Sequence, residues 1–220
     1  MADLSQQSLF EQINDVRQRA TWVVERRTPE KLTQRPDPSR WSIAECVGHL
    51  NIVMDDYQPL ITAAIEHARK ENLIGKGPFN LGIMGRFMVK TMEPPVKRKF
   101  KAVPRLAHPV PVGDGSKLLE GFLARQDELE KLVRQAEGLN QEKIKIQSPY
   151  AWWLRLRLCA VFAFILAHER RHIDQAEAVC RVVAPADRKL PDGEHSAAQS
   201  ADLKTGKLRC KWTQRSSPRK

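Results

Sequence analysis

The sequence predicts an all-α protein built as an up-down four-helix bundle with a long crossover connection and a disordered C-terminal tail. Apolar residues recur at helical spacing in four long segments, and long alternating runs typical of strands are absent. The content of 29% charged residues is typical of a helix-rich globular protein. We assign residues 1–183 to one bundle domain, which contains an insertion at 75–115, and residues 184–220 to a basic tail.

The first predicted helix covers residues near 4 to 26, and a short helical turn follows at Thr28-Pro29-Glu30. Threonine before proline has the order of an N-cap and a first helical residue. The next helix begins at Ser42, because Ser42 and Glu45 have the spacing of a capping box. Trp41 stands in the position of a hydrophobic staple.

The second long helix should continue from Ser42 to about Lys70. Pro59 inside it predicts a kink or a break near residues 55 to 58, since proline cannot donate a backbone hydrogen bond. The insertion then predicts a short amphipathic helix over Phe79 to Met92 and an extended connection from Val96 to Gly115.

Two further long helices complete the predicted bundle. The third should begin at Ser116 and stop at Gly138. The last should begin at Ser148-Pro149 and run to about Val183, which places Trp152 and Trp153 in a core-facing helical pattern.

The formal net charge of +11 raises the question of nucleic-acid binding. Much of the excess lies in the tail, which holds nine basic and four acidic residues, and in the basic stretch 97–101. Because a solvated tail and loop account for most of this charge, we do not expect a nucleic-acid partner. The longest apolar run, 158–167, is about half of a membrane span, so we expect no membrane partner.

We also predict a cytoplasmic protein. The first residues are polar and lack a signal-peptide pattern. The four cysteines, Cys46, Cys159, Cys180 and Cys210, form no CxxC pair and are expected to be reduced.

His168 and His172 lie one helical turn apart on the apolar face of the last predicted helix. A helical wheel places both inside the apolar arc, while Arg170, Asp174 and Glu177 lie on the opposite side. A single inward histidine is commonly a hydrogen-bonded core residue, but burying two without partners costs on the order of several kcal/mol. We therefore predict that the pair ligates a divalent metal ion.

His49 is the best candidate for a third ligand from another helix. It lies seven residues after Ser42, at the edge of the apolar stripe, and its alternative is a packed helix histidine. The other histidines lie at a helix end, in the connection and in the tail: His67, His108 and His195. Three neutral histidines leave coordination positions open, which is typical of catalytic sites.

The segment from His168 to His172 also matches HExxH, the pattern of zincin metalloproteases. In that alternative Glu169 would be the general base, although the helical wheel places it at the margin of the buried arc. Glu194 and His195 have the separation of a third ligand in some zincins but lie in the tail. The edge strand that such proteases use is not evident, so context disfavours a protease.

Two segments, RWSIAECVGHL at 40–50 and SPYAWWLRLRLCAVFAFILAHERRHIDQAEAV at 148–179, resemble the DinB-like (DinB/YfiT) superfamily. The resemblance covers about residues 5 to 183. It implies a four-helix bundle holding a divalent metal ion, often zinc or nickel, by three histidines. By position these are His49, His168 and His172. Characterised relatives include S-transferases and isomerases that use a low-molecular-weight thiol, and the family does not imply DNA binding.

The leading hypothesis is a metal-dependent enzyme, either a thiol-dependent S-transferase or a related hydrolase, acting on a small molecule. Glu169, Tyr57 and Asp56 are candidate acid/base or supporting groups, each with packing or surface placement as the alternative. A non-catalytic, metal-stabilised binding or stress protein is the second hypothesis, and a nucleic-acid binder using the basic loop and tail is the third. A homodimer remains an open alternative for the assembly.

Overall fold

The computed structural model describes residues 5–94 and 115–185, which form six helices and one small two-stranded sheet. The predicted connection up to residue 114 and the predicted tail beyond 185 lie outside the described residues. The elements in chain order are α1 (Gln6–Val24), α2 (Pro29–Thr33), α3 (Ile43–Lys70), α4 (Gly82–Met92), α5 (Gly115–Gln135), β1 (Lys145–Gln147), β2 (Arg155–Arg157) and α6 (Leu158–Val183).

Helices α1, α3, α5 and α6 form the bundle. Helix α3 packs against α5 and α6, and α1 packs against the same two helices. Helices α3 and α6 are antiparallel, since His49 meets His168 while Tyr57, further along α3, meets the earlier Phe164. Helix α5 runs parallel to α3, since Arg125 contacts Asp55 while Arg69, further along α3, contacts the later Gln135. These observations confirm an all-α bundle with a crossover.

The first turn of α3 forms as predicted. The Ser42 hydroxyl accepts a hydrogen bond from the Glu45 amide at 3.2 Å, and the Glu45 carboxylate accepts one from the Ser42 amide at 2.8 Å. Arg35 donates two further bonds to the same carboxylate, one of them at 2.9 Å from Nε. The loop before α3 is therefore tied to the first turn of the helix.

The predicted break near Pro59 does not occur, because α3 continues through this residue to Lys70. Proline leaves the carbonyl of Asp55 without its helical donor. Both Asp55 and Pro59 are exposed, so water can supply that hydrogen bond. Packing of α3 against two neighbouring helices maintains its helical backbone.

The predicted start of the last helix at Ser148-Pro149 is wrong. Strands β1 and β2 pair antiparallel with Ile146 opposite Leu156, and α6 begins only at Leu158. Each strand alternates between an exposed, a buried and a half-buried residue, which is the two-residue period of a half-buried sheet.

The predicted core position of Trp152 and Trp153 is also wrong. Both lie in the turn of the hairpin, where their relative exposures are 87% and 63%. The turn replaces the helical geometry that would have directed them inward.

Helix α4 packs along α6 and begins at Gly82 rather than Phe79. Asn80 explains the later start, because its side-chain oxygen accepts the Gly82 amide at 2.7 Å. After α5 the chain turns at Gly138, whose φ of 75° is in the left-handed region that favours glycine. None of the described helices is long and apolar enough to cross a membrane.

Candidate metal centre

A layer of buried polar side chains crosses the bundle where the apolar core divides into two clusters. On α5, Phe122 belongs to one cluster and Leu129 to the other, with Gln126 between them. On α6 the same division falls between Leu166 and Ile173. The polar residues of this layer are His49, Gln126, His168, Glu169 and His172.

Three imidazoles in this layer are in mutual contact. His49 extends from α3, and His168 and His172 extend from successive turns of α6. Nε2 of His49 lies 3.2 Å from Nε2 of His168, and one ligand nitrogen from each of the three residues lies within 4.8 Å of the others. Their relative exposures are 5%, 8% and 9%, so water has little access.

Two aromatic rings flank the imidazoles. Trp41 stacks on His172 with ring centroids 5.6 Å apart and meets His49 edge-on at 5.1 Å. On the other side Phe164 stacks on His168 at 6.0 Å. Trp41 precedes the capped first turn of α3, so that turn also positions the indole over the histidines. Trp41 therefore contacts the histidines in addition to its predicted role as a hydrophobic staple.

The environment keeps the α6 histidines neutral. Burial, with smaller contributions from the neighbouring His49 and Arg171, lowers the pKa of His168 to about 3. Burial holds the pKa of His172 well below its usual range, with smaller contributions from His168, His49 and Arg171. Neutral imidazole is the form that ligates metal ions, because one of its ring nitrogens has a free lone pair.

The three histidines suit a divalent ion of zinc type. Tetrahedral bonds of about 2.0–2.1 Å from nitrogen to zinc place two ligand nitrogens about 3.3 Å apart. The observed 3.2 Å between His49 and His168 is close to this separation. Among the described residues, the group of potential ligands consists of these three histidines. The protein would therefore supply three ligands and leave a position for a small molecule.

Glu169 is more deeply buried than the helical wheel indicated, with 2% relative exposure. One of its carboxylate oxygens accepts a hydrogen bond from Gln126 of α5 at 2.7 Å. Burial raises the pKa of Glu169 to about 7, while the Gln126 bond and the charges of Arg170 and Arg17 oppose this rise. Glu169 is directed to α5 and is not a member of the three-histidine group.

Tyr57 and Asp56, the other candidate acid/base groups, lie two helical turns along α3 from His49. Tyr57 is buried against Phe164, with ring centroids 6.3 Å apart, and burial raises its pKa. Asp56 accepts a hydrogen bond from the Tyr150 hydroxyl at 2.8 Å. The Phe164 ring contacts both Tyr57 and His168 and so lies between Tyr57 and the histidines, while the Asp56 carboxylate is bonded to Tyr150.

The remaining histidines do not join the group. His67 is exposed in the last turn of α3, whereas His108 and His195 lie outside the described residues, as does Glu194. Gln126 is the polar residue that the sequence analysis missed. Its signal was a glutamine between Phe122 and Leu129 on the apolar face of the third long helix.

Fold and site together define a helical bundle whose buried three-histidine group could hold a metal ion. The family model described as the DinB superfamily matches residues 12–176, a span that includes all three histidines. The chain belongs to the DinB superfamily. Neither the curated proteins nor the solved structures include a match to this chain.

Proposed function

We propose that this protein is a metal-dependent enzyme in which His49, His168 and His172 hold a divalent ion, zinc or nickel. The observation that carries the proposal is the convergence of three buried imidazoles within 4.8 Å, two of them with strongly lowered pKa values. Ligands from two helices fix the group in the core, since α3 and α6 pack directly against each other.

The proposed reaction is transfer of a low-molecular-weight thiol to a small-molecule acceptor, with a related hydrolysis as the variant. A bound divalent ion would supply Lewis acidity, lowering the pKa of a thiol or water in the open position. The chain's own residues exclude water, because Trp41 and Phe164 cover two of the imidazoles. Membership of the DinB superfamily is compatible with thiol transfer, because the resemblance described for the sequence implies relatives that include thiol-dependent S-transferases.

Metal analysis of the purified protein tests the proposal. We expect about one zinc or nickel ion per chain in the wild type and a loss of about 10-fold or more in metal affinity for His49→Asn, His168→Asn and His172→Asn. His67→Asn is the matched control, because His67 is an exposed histidine on the same helix as His49. A wild type that takes up no metal would refute the proposed centre.

A second measurement separates thiol transfer from hydrolysis. Cobalt-substituted protein should gain a thiolate-to-metal absorption band when a low-molecular-weight thiol binds the open position. His168→Asn should show no band under the same conditions. A wild type that binds cobalt but gives no band with any thiol tested would favour the hydrolase.

The burial of the site supports one alternative, a non-catalytic metal-stabilised protein. All three histidines are less than a tenth exposed, as in structural sites. Turnover with thiols and acceptors would exclude this alternative. The zincin alternative loses support from the position of Glu169, whose carboxylate binds Gln126.

A further inference from the structure

The tip of the β1–β2 hairpin exposes two tryptophans in succession, Trp152 and Trp153. Indole is the largest apolar side chain, and neighbouring exposed indoles on a packed domain mark a surface that meets a partner. The metal chemistry proposed above involves neither residue. Their function therefore requires a separate explanation.

The backbone of the tip is built to hold this conformation. The Gln147 side-chain amide donates hydrogen bonds to the carbonyl oxygens of Ala151, Trp152 and Leu154 at 2.9, 2.7 and 3.0 Å. The Ser148 amide also donates to the Leu154 carbonyl at 2.9 Å. The next residue, Leu154, is buried and anchors the turn to the domain. The two indoles are therefore exposed by an ordered turn.

The tip is also attached to the bundle. The Tyr150 hydroxyl donates to Asp56 of α3 at 2.8 Å, and the Tyr150 ring meets Tyr57 edge-on with centroids 6.0 Å apart. The two indoles are therefore presented from a fixed position on the domain.

The hairpin that carries the indoles is cationic. Residues 143–157 include four basic side chains and no acidic one. Lys143, Lys145 and Arg155 are exposed, and Arg157 forms an ion pair with Glu142 at the base of the hairpin.

The register brings positive charges together on the outer face. Lys145 stands directly opposite Arg157, and Arg155 lies opposite Gln147 on the same face. Because Glu142 compensates the charge of Arg157, the exposed Lys145 and Arg155 are the charges of this face that an anionic partner would meet.

We propose that this hairpin docks on an anionic lipid surface. Trp152 and Trp153 would enter the boundary between headgroups and acyl chains, where the amphipathic indole is preferred. Lys145 and Arg155 would lie against the lipid phosphates. Such docking needs no spanning helix, since only side chains of a surface element enter the lipid.

The neighbouring helix favours lipid over a single-stranded nucleic acid. Helix α4 packs against β2 and exposes Ile83 and Phe87, with relative exposures of 83% and 59%. Nucleic-acid binding uses aromatic rings as stacking platforms but has no comparable use for an exposed isoleucine. A lipid surface accepts aliphatic and aromatic side chains alike.

The test uses the full chain and vesicles of phosphatidylcholine and phosphatidylglycerol in equal amounts, some carrying brominated acyl chains. Binding is measured by co-sedimentation and insertion by quenching of tryptophan fluorescence. Trp152→Ser/Trp153→Ser should abolish most of the quenching and lower partitioning by about 10-fold. Lys145→Gln/Arg155→Gln should lower partitioning by about fivefold for each charge removed. Trp212→Phe, which alters a tryptophan of the basic C-terminal segment, should leave quenching unchanged.

Three results would overturn the proposal. Unchanged partitioning and quenching in the double tryptophan variant would assign vesicle binding to other basic segments. Tryptophan-dependent binding to a single-stranded oligonucleotide, without vesicle quenching, would assign the surface to nucleic acid. Sedimentation of the wild type as a dimer and of the double tryptophan variant as a monomer, without vesicle binding, would make the tip an interface between two copies.

Discussion

At the scale of single residues, the histidines share their layer with one buried amide–carboxyl pair. The Gln126 amide nitrogen donates to one oxygen of Glu169, and neither the Gln126 amide oxygen nor the other Glu169 oxygen has a hydrogen-bond partner among the described residues. Buried acceptors without partners destabilise the folded state, so we expect stability to respond strongly to substitutions at Gln126 and Glu169.

Replacing one member of this pair should cost more than replacing both. We expect Gln126→Met to lower the free energy of unfolding by about 1–3 kcal/mol, because it leaves the buried Glu169 carboxyl without its donor. The double variant Gln126→Met/Glu169→Met should recover most of this loss, since no buried polar group then remains at the two positions. Urea unfolding measures both effects. Equal destabilisation in the single and double variants would contradict this account.

The zincin alternative and the bundle site require different positions of the Glu169 carboxylate. A metalloprotease needs the Glu169 carboxylate at the metal, whereas the observed hydrogen bond directs it to α5. Sequence alone did not decide this, because a helical wheel gives the angle of a side chain but not the helix that it meets.

At the scale of elements, the first turn of α3 links the preceding loop to the three-histidine group. Burial tends to raise the pKa of Glu45, but hydrogen bonds from Arg35 and Ser42 outweigh burial and lower it. Because the folded pKa lies below the unfolded value, the ionised carboxylate stabilises the fold above the unfolded pKa.

The contribution of Glu45 should therefore depend on pH. Glu45→Gln should lower the free energy of unfolding by about 1 kcal/mol at neutral pH, where the capping box and the Arg35 pair are both formed. The difference from wild type should shrink as the pH falls through the folded pKa, which lies below the usual range of a glutamate. Unfolding titrations at neutral pH and at pH near 3 check this. A difference that does not change with pH would show that the charge has no part in it.

Pro59 gives a second prediction for α3. Because the helix is continuous there, Pro59→Ala restores the hydrogen bond to the Asp55 carbonyl without altering the path of the chain. We expect a gain of about 1–2 kcal/mol, less than the full proline penalty because proline also restricts the unfolded chain. Thermal unfolding measures the gain, with Glu66→Ala at an exposed position of the same helix as control. Destabilisation would mean that α3 needs the proline for its packing.

The elements that sequence predicted best are those whose determinants are local. The capping box involves two residues three positions apart, so the pair Ser42 and Glu45 predicts it from local sequence alone. The hairpin was missed because each strand has three residues, too few to reveal a two-residue period. Ser148-Pro149, a common helix start, also opens the hairpin turn, and Gln147 holds that turn through three carbonyl groups that no local pattern identifies.

At the scale of the whole molecule, the polar layer divides the core and should make stability depend on metal. An apo protein keeps three imidazoles buried in the interior, whereas an ion that binds only the folded state shifts the folding equilibrium toward that state.

Zinc at about 100 times its dissociation constant should add about 2.7 kcal/mol to the free energy of unfolding. For a domain of this size the corresponding rise in Tm is about 5–10 °C. Differential scanning calorimetry with zinc and with chelator measures the shift, and His168→Asn should show a clearly smaller one. An identical Tm with zinc and with chelator in the wild type would contradict metal binding at this layer.

The separation of His49 and His168 by 119 positions has a consequence for the protein's synthesis. His49 leaves the ribosome long before α6, so an emerging chain offers one ligand and holds an ion weakly. Only after α6 has docked on α3 are the other two ligands in place. Metal loading would therefore distinguish finished chains from truncated ones. A product that ends before α6 would be released without metal. The faces of α3 and α1 that α6 normally covers would then remain available to chaperones and proteases.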